Sequence, residues 1–223
     1  MSGRITLAAR NNAEWCDAVT RSRGGHARFE PEFWIHPGEA PPFYPNAVTL
    51  APTPRLPAEI VQAEDGFSVK DSFASLDLAP LGYEILFDAT WIWRDPQPVA
   101  RSDVASWSIV RAAVSLARWE AAWRGDEEPL DLFRPALLQE PDHAFIAGTV
   151  AGRIVAGCVA SRSASVIGIS NLFGPDDLAA GCLAALQDWS PGLPVVGYDH
   201  EPTLALMKSL GFQELGALRV WLR

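Results

Sequence analysis

Three runs between Ala144 and Asn171 constrain the fold most. Ala144–Val150, Arg153–Ser161 and Ala164–Asn171 are each rich in apolar and β-branched residues, and two-residue breaks separate them. The first break, Ala151-Gly152, has the length and composition of a tight hairpin turn. Three strands joined this tightly must lie antiparallel in one sheet, which needs helices to cover its apolar face. The residues that follow supply them. Pro175–Trp189 reads as a helix, Leu193–Tyr198 as a strand, Glu201–Leu210 as a helix closed by Gly211, and Phe212–Leu222 as a final strand.

Upstream, Tyr83–Trp93 (YEILFDATWIW) is a long strand. Ser102–Arg124 reads as one helix capped by Ser102 or Asp103, with Trp107, Val110, Val114, Ala117, Trp119 and Trp123 mostly at helical spacing. Leu130–Gln139 is a shorter helix interrupted by Pro135. From residue 84 the order is β-α-α-β-β-β-α-β-α-β. This is an α/β (α+β) chain with a mixed, mostly antiparallel sheet flanked by helices.

The first eighty residues are harder to read. Asn11–Arg23 fits a helix capped by Asn11 or Asn12 and ended by Gly24-Gly25. Residues 26–46 hold Phe29, Phe33, Trp34, Phe43 and Tyr44 among prolines and glycines, so they form an ordered loop, either a core cover or a cleft wall. Ala47–Leu50 and Gly66–Lys70 read as short strands, Pro57–Glu64 as a short helix, and Asp71–Ala79 as a helix capped by Asp71. The connector 95–101 is the best internal boundary, dividing the chain into 1–95 and 96–223.

Composition narrows the function. The chain has 223 residues, 48% of them hydrophobic and 20% charged, enough for a proper core. The net charge of −9 argues against nucleic acid and anionic membrane as partners. Cys16, Cys158 and Cys182 form neither a C-x-x-C pair nor an even set, so no disulfide framework or structural zinc site is expected. Without an apolar leader or a spanning stretch, a cytoplasmic location is the expectation.

The C-terminal order of elements, with its Leu210-Gly211-Phe212 ending, resembles the Gcn5-related N-acetyltransferase superfamily over residues 83–223. Gly211 can end a helix in the left-handed conformation, and Phe212 turns back into the core. The chain also echoes itself: LGYEILFDATWIWR at 81–94 and LGFQELGALRVWLR at 210–223 match at Leu81/Leu210, Gly82/Gly211, Leu86/Leu215 and Arg94/Arg223. Two readings stand side by side. Either the N-terminal region is a shortened copy of the fold's second half, a tandem or pseudo-duplicated arrangement, or the two endings converged.

The resemblance implies acetyl-CoA or another acyl-CoA as the bound donor. It places cofactor contacts on Asn171, Leu172, Phe173, Gly174, Asp177 and Ala179, with the pyrophosphate-binding loop running from Gly174 to Ala179. This sequence departs from the family pattern there. Gly174 stands where Arg or Gln is usual and Asp177 where Gly is usual, leaving Ala179 as the matching residue. Pro175 removes one N–H donor, and Asp176 and Asp177 suit a helix N-terminus better than a phosphate. The family's proton-donating Tyr falls on Met207, its Asn on His200 and its Ala on Thr203. The nearest titratable groups are Tyr198, Asp199 and His200, at a strand end where α/β sheets place ligands.

Three functions follow as expectations. The first is acyl-CoA-dependent N-acyl transfer to a small amine, with Tyr198, Asp199 and His200, or Tyr83, carrying the proton transfers. The second is a catalytically inactive binding or interaction protein of the same fold. The third is a homo-oligomeric scaffold, with a homodimer as the simplest partner arrangement. The discriminating feature is geometric: the family admits the pantetheine arm where the strand ending at Asn171 and the strand starting near Val195 splay apart.

Overall fold

Ala151 and Gly152 both have positive φ, 48° and 78°, the mirror-image turn whose twist suits a hairpin. It joins β7 (His143–Val150) to β8 (Arg153–Arg162), with Val150 opposite Arg153. The computed structural model describes residues 2–99, 104–128 and 130–223. The remaining strands are β1 (Arg28–Phe29), β2 (Phe33–Ile35), β3 (Ala47–Thr49), β4 (Ser68–Asp71), β5 (Glu84–Arg94), β6 (Ser106–Ile109), β9 (Ile167–Phe173), β10 (Val195–Asp199) and β11 (Gln213–Leu222). The helices are α1 (Ser2–Ser22), α2 (Ala58–Val61), α3 (Ala113–Arg124), α4 (Ala179–Trp189) and α5 (Thr203–Ser209).

The eleven strands of the described residues form one sheet, ordered β1-β2-β3-β4-β11-β5-β10-β9-β8-β7-β6. β3–β4 and β9–β10 are parallel, and every other pair is antiparallel. The long strand β5 inserts between β10 and β11, while β11 lies between β4 and β5. The sheet is therefore continuous across the 95–101 connector. On either side of the β5–β11 pair the order is the same, β4-β3-β2-β1 one way and β10-β9-β8-β7 the other.

Side-chain alternation sets the layers. Val195, Ile167 and Ile169 pack with Cys182, Leu186 and Met207, so α4 and α5 cover one face. Val196, Trp91 and Leu218 pack under Ala8 and Ala9 of α1 on the other. α3 shares that second face through Trp119, which stacks edge-on with Phe145 and Phe173 at centroid distances of 5.1 Å. Trp15, Trp34, Trp91 and Trp119 are fully buried, and truncating any of them to Ala would cost roughly 3–5 kcal/mol.

Four expectations need correction. α1 begins at Ser2, so Asn11 and Asn12 sit in mid-helix and cap nothing. Asn11 is buried and donates to the Ser161 carbonyl at 2.9 Å, pinning the helix across β8. Asp71 caps no helix either. It ends β4 and accepts the backbone N–H groups of Phe73 (3.2 Å) and Leu76 (2.7 Å), shaping a loop. The long helix expected from Ser102 is shorter: β6 pairs with the open edge of β7, and α3 starts only at Ala113. Ladder hydrogen bonds there outweigh a helical spacing of apolar residues; Ser102 and Asp103 lie outside the described residues. Between 130 and 139 only Pro135–Gln139 is helical, as a 3-10 turn. The stretch before it is a loop curled around the buried Glu120 carboxylate, which accepts N–H groups from Leu130, Leu132 and Phe133 at 3.2, 2.9 and 3.0 Å.

Candidate active site in the β9–β10 slot

β9 and β10 pair at only two positions, Ile167 with Val195 and Gly168 with Val196. They are still close at the next step, where a Cβ on Gly197 would lie 3.0 Å from the Ile169 carbonyl oxygen. Beyond that point β9 continues along β8, and β10 along β5. Each therefore turns an unpaired backbone edge toward the other, a row of N–H and C=O groups open to a ligand. β9 is also bulged there. Val159 faces Ser170, but Gly157 faces Phe173, and Asn171 takes the extra residue at φ 51°. Such bulges aim backbone groups away from the ladder.

A cavity of about 370 Å³ opens in this slot. Asn171, Leu172, Tyr198, Asp199, His200 and Met207 line it, and α1 and β4 contribute Asn12, Trp15, Cys16 and Lys70. Lys70 is its chemical centre. The Lys70 side chain is buried, and Nζ donates to Asn12 Oδ1 at 2.9 Å and to Tyr198 Oη at 3.0 Å. The Tyr198 ring stands edge-on to Trp91, 5.3 Å between centroids, and Trp91 is fixed by its bond to the Ser72 carbonyl at 2.8 Å. Burial opposes the charge on Lys70, while the hydrogen bond that its ammonium donates to Tyr198 favours it; the balance lies above the usual lysine value. Cys16 is pushed up by burial against the pull of Lys70, so it sits in the site as a thiol.

At the mouth, Asp199 is raised by burial, opposed by the His200 backbone N–H at 2.9 Å and by the His200 ring. His200 is exposed, and its Nδ1 lies 3.0 Å from the Glu201 carbonyl. A carbonyl accepts, so Nδ1 carries the proton in the neutral ring and Nε2 keeps its lone pair.

A second, larger groove of about 1220 Å³ meets the first. The two share Phe43, Tyr44, Lys70, Phe87 and Tyr198 as walls. Glu39, Glu64 and Asp65, all exposed, line the second groove. The loop 36–46 is thus a cleft wall as well as a core cover. Among the described residues no group of His, Cys, Asp and Glu could hold a metal ion, and no helix is long and apolar enough to cross a membrane.

Most of the chain superposes on solved structures. It matches a GCN5-related N-acetyltransferase from Kribbella flavida with a TM-score of 0.64 and 14% identity, over 96% of this chain and 95% of that one. The fold is that of the GCN5-related N-acetyltransferases. A GNAT-family acetyltransferase from Novosphingobium aromaticivorans matches with a TM-score of 0.57 and 15% identity over 92% of this chain and 95% of that one. A GCN5-related N-acetyltransferase-like protein from Streptococcus suis matches with a TM-score of 0.53 and 14% identity over the full length of both. No family sequence model and no curated protein matches the chain. At these identities the likeness carries the acetyltransferase fold and not an activity.

Against that fold, the loop from Phe173 to Ala179 is unusual. Gly174 has φ 111°, and a Cβ on it would lie 2.5 Å from that of Ala156, so close packing on β8 already requires the glycine. Pro175 is extended, and Asp176–Leu178 make one 3-10 turn into α4. Asp176 and Asp177 occupy that first turn, exposed, but make no capping hydrogen bond. Phe173 packs toward Trp119. Phe173, Gly174, Asp177 and Ala179 lie outside the lining of the slot, whereas Asn171 and Leu172 are in it. The residues fit the amide-bearing arm of an acyl-CoA, through the two unpaired edges, and build no phosphate cradle at 174–179.

Sequence reasoning missed Lys70, Asn12 and Tyr44. One signal existed for Lys70: it is one of only two lysines in the chain, and it closes the short strand candidate Gly66–Lys70 beside Val69, where a buried charge needs a partner.

Proposed function

We propose that this chain transfers an acyl group from an acyl-CoA thioester, acetyl-CoA in the simplest case, to an amine. One observation carries the reading: an open slot with two unpaired strand edges leads to the buried Lys70 paired with the half-buried Tyr198, where a second groove also arrives. Donor and acceptor could meet there without displacing each other.

The thioester supplies the activated acyl group. The backbone edges of 169–173 and 197–199 would hold its amide arm. Tyr198 Oη accepts from the Lys70 ammonium, which leaves the Tyr198 O–H proton free to point into the slot. A phenol polarised in this way can protonate a departing thiolate, the role that Met207 cannot fill. Lys70 also discourages a second positive charge nearby, so an incoming amine is favoured in its neutral, nucleophilic form. His200 Nε2 or the Asp199 carboxylate at the mouth would take the proton that the amine loses. The small amine would enter along the groove lined by Glu39, Glu64 and Asp65, whose charge draws a cation from solution.

Calorimetric titration with acetyl-CoA, followed by thiol release in the presence of a panel of primary amines, tests the reading. Absence of both heat and thermal shift at millimolar acetyl-CoA would sink it. Binding without transfer to any amine would favour the non-catalytic binding protein.

A further inference from the structure

Most arginines of this chain have a partner. Arg4 meets Asp95, Arg10 meets Glu14, Arg21 meets Asp17 and Glu140, Arg28 meets Glu30 and Glu59, Arg162 meets Asp142, and Arg219 meets Asp88. Arg124 and Arg134 pair with Glu127 and Asp131. Arg23, Arg94 and Arg223 are bound to main-chain carbonyls. Among the described residues, the arginines without a carboxylate or carbonyl partner are Arg55, Arg111, Arg118 and Arg153. Three of these four line a single concavity of about 500 Å³.

Local structure brings them together. Arg111 lies two residues before α3, and Ser115 and Arg118, three residues apart within it, share one helix face. Arg153 opens β8 directly after the Ala151-Gly152 turn. β6 and β7 add Ser108 and Thr149, and Ile109, Val110 and Ile154 complete the wall. No carboxylate lines the concavity, although the chain carries a net charge of −9. The three guanidinium groups that line the concavity have no carboxylate beside them, so an anion entering it meets positive charge alone. Guanidinium forks and hydroxyl donors match the oxygens of a phosphate ester, with more than one oxygen engaged per arginine.

We propose that Arg111, Arg118 and Arg153 form a binding site for the phosphate groups of a small phosphate ester. The site does not depend on the acyl-transfer reading, but it bears on it. Ala147 in its wall pairs with Gly157 of β8, which pairs with Phe173 at the end of the slot strand. Two strand spacings, about 10 Å, therefore separate β7 in its wall from β9, one of the two strands of the slot. Its ligand's phosphates can belong to the acyl donor, compensating for the acidic loop at 174–179, or to a separate phosphorylated molecule.

Titration of the full chain with inorganic pyrophosphate, ADP, acetyl-CoA and S-acetylpantetheine separates these cases. All three arginines are exposed, so the triple variant Arg111→Ala/Arg118→Ala/Arg153→Ala should melt close to the parent. It should bind pyrophosphate and ADP at least about tenfold more weakly, given the usual strength of charge-assisted hydrogen bonds. A matching loss for acetyl-CoA, with S-acetylpantetheine unchanged, assigns the site to the donor's phosphates. A loss for pyrophosphate and ADP with acetyl-CoA unchanged assigns it to a separate ligand. If the triple variant weakens none of the phosphate-bearing ligands, the proposal is wrong.

Discussion

Lys70 Nζ on β4 and Tyr198 Oη on β10 lie 3.0 Å apart, although β11 and β5 stand between their strands in the sheet. Both side chains rise from the same face and meet under α1, where Asn12 completes the contact at 2.9 Å. If this pair carries the proton to the leaving sulfur, Tyr198→Phe should lower kcat by roughly 10²- to 10⁴-fold with little change in the acetyl-CoA KM. Lys70→Met, which keeps the buried stem and removes the charge, should lower kcat in the same direction. Steady-state thiol release with the best amine measures both. An unchanged kcat in Tyr198→Phe would remove Tyr198 from the chemistry.

The acidic loop gives a gain-of-function prediction. Replacing Asp176 with Asn and Asp177 with Gly removes two carboxylates and frees backbone at the entry to α4. Acetyl-CoA should then bind several-fold to about tenfold more tightly, because each exposed charge contributes up to about 1 kcal/mol. S-acetylpantetheine, which has no phosphate, should be indifferent to the change. Calorimetry on both ligands reads the difference.

Glu120 is a structural hinge pin. Its carboxylate is buried and accepts three backbone N–H groups from 130–133. Glu120→Ala would strand these donors and should cost on the order of 3 kcal/mol. Urea unfolding of the variant gives the number. A loss within a few tenths of a kcal/mol would mean that water replaces the carboxylate freely.

His143 predicts a pH effect. Its ring packs edge-on to Trp15, 5.1 Å between centroids, and burial lowers its pKa below the usual 6.5, with Glu140 and Asp142 opposing. The folded state therefore prefers the neutral ring. This contribution is fully present above the unfolded value of about 6.5 and is lost as pH falls through the lower folded value. Thermal melts should show stability falling on acidification across that window, and His143→Leu should flatten this part of the profile. A profile identical in the variant would assign the pH dependence to other groups.

Much of the fold was legible because it is written in local chemistry. The Ala151-Gly152 turn, the apolar runs flanking it and the Gly211-Phe212 ending each determine their own conformation within a few residues. The echo between 81–94 and 210–223 falls on β5 and β11, the two strands that lie side by side at the centre of the sheet. What stayed hidden depends on distant partners. The stretch 106–109 is a strand because β7 offers an open edge, and its own spacing suggests helix. Ser2–Arg10 extends α1 because Ala8 and Ala9 find the sheet beneath them. At the site, the strand end holding Tyr198, Asp199 and His200 could be read in advance. Lys70 could not be placed there, because it reaches Tyr198 only through the pairing of β4 with β11 and of β11 with β5.

That route through the sheet has a bearing on how the site comes into being. β4 pairs with β11 at Lys70 opposite Val220, and β11 pairs with β5 from Gln213 to Leu222. A growing chain can complete α1, β1 to β4 and even β5 early, yet Lys70 on β4 and Tyr198 on β10 have no common register until β11 has emerged and zipped between β4 and β5. Loss of a short carboxyl-terminal segment would therefore do more than fray an end. It would leave lysine and tyrosine on two sheets with no common register, and convert a late step of biosynthesis into the step that switches the pocket on.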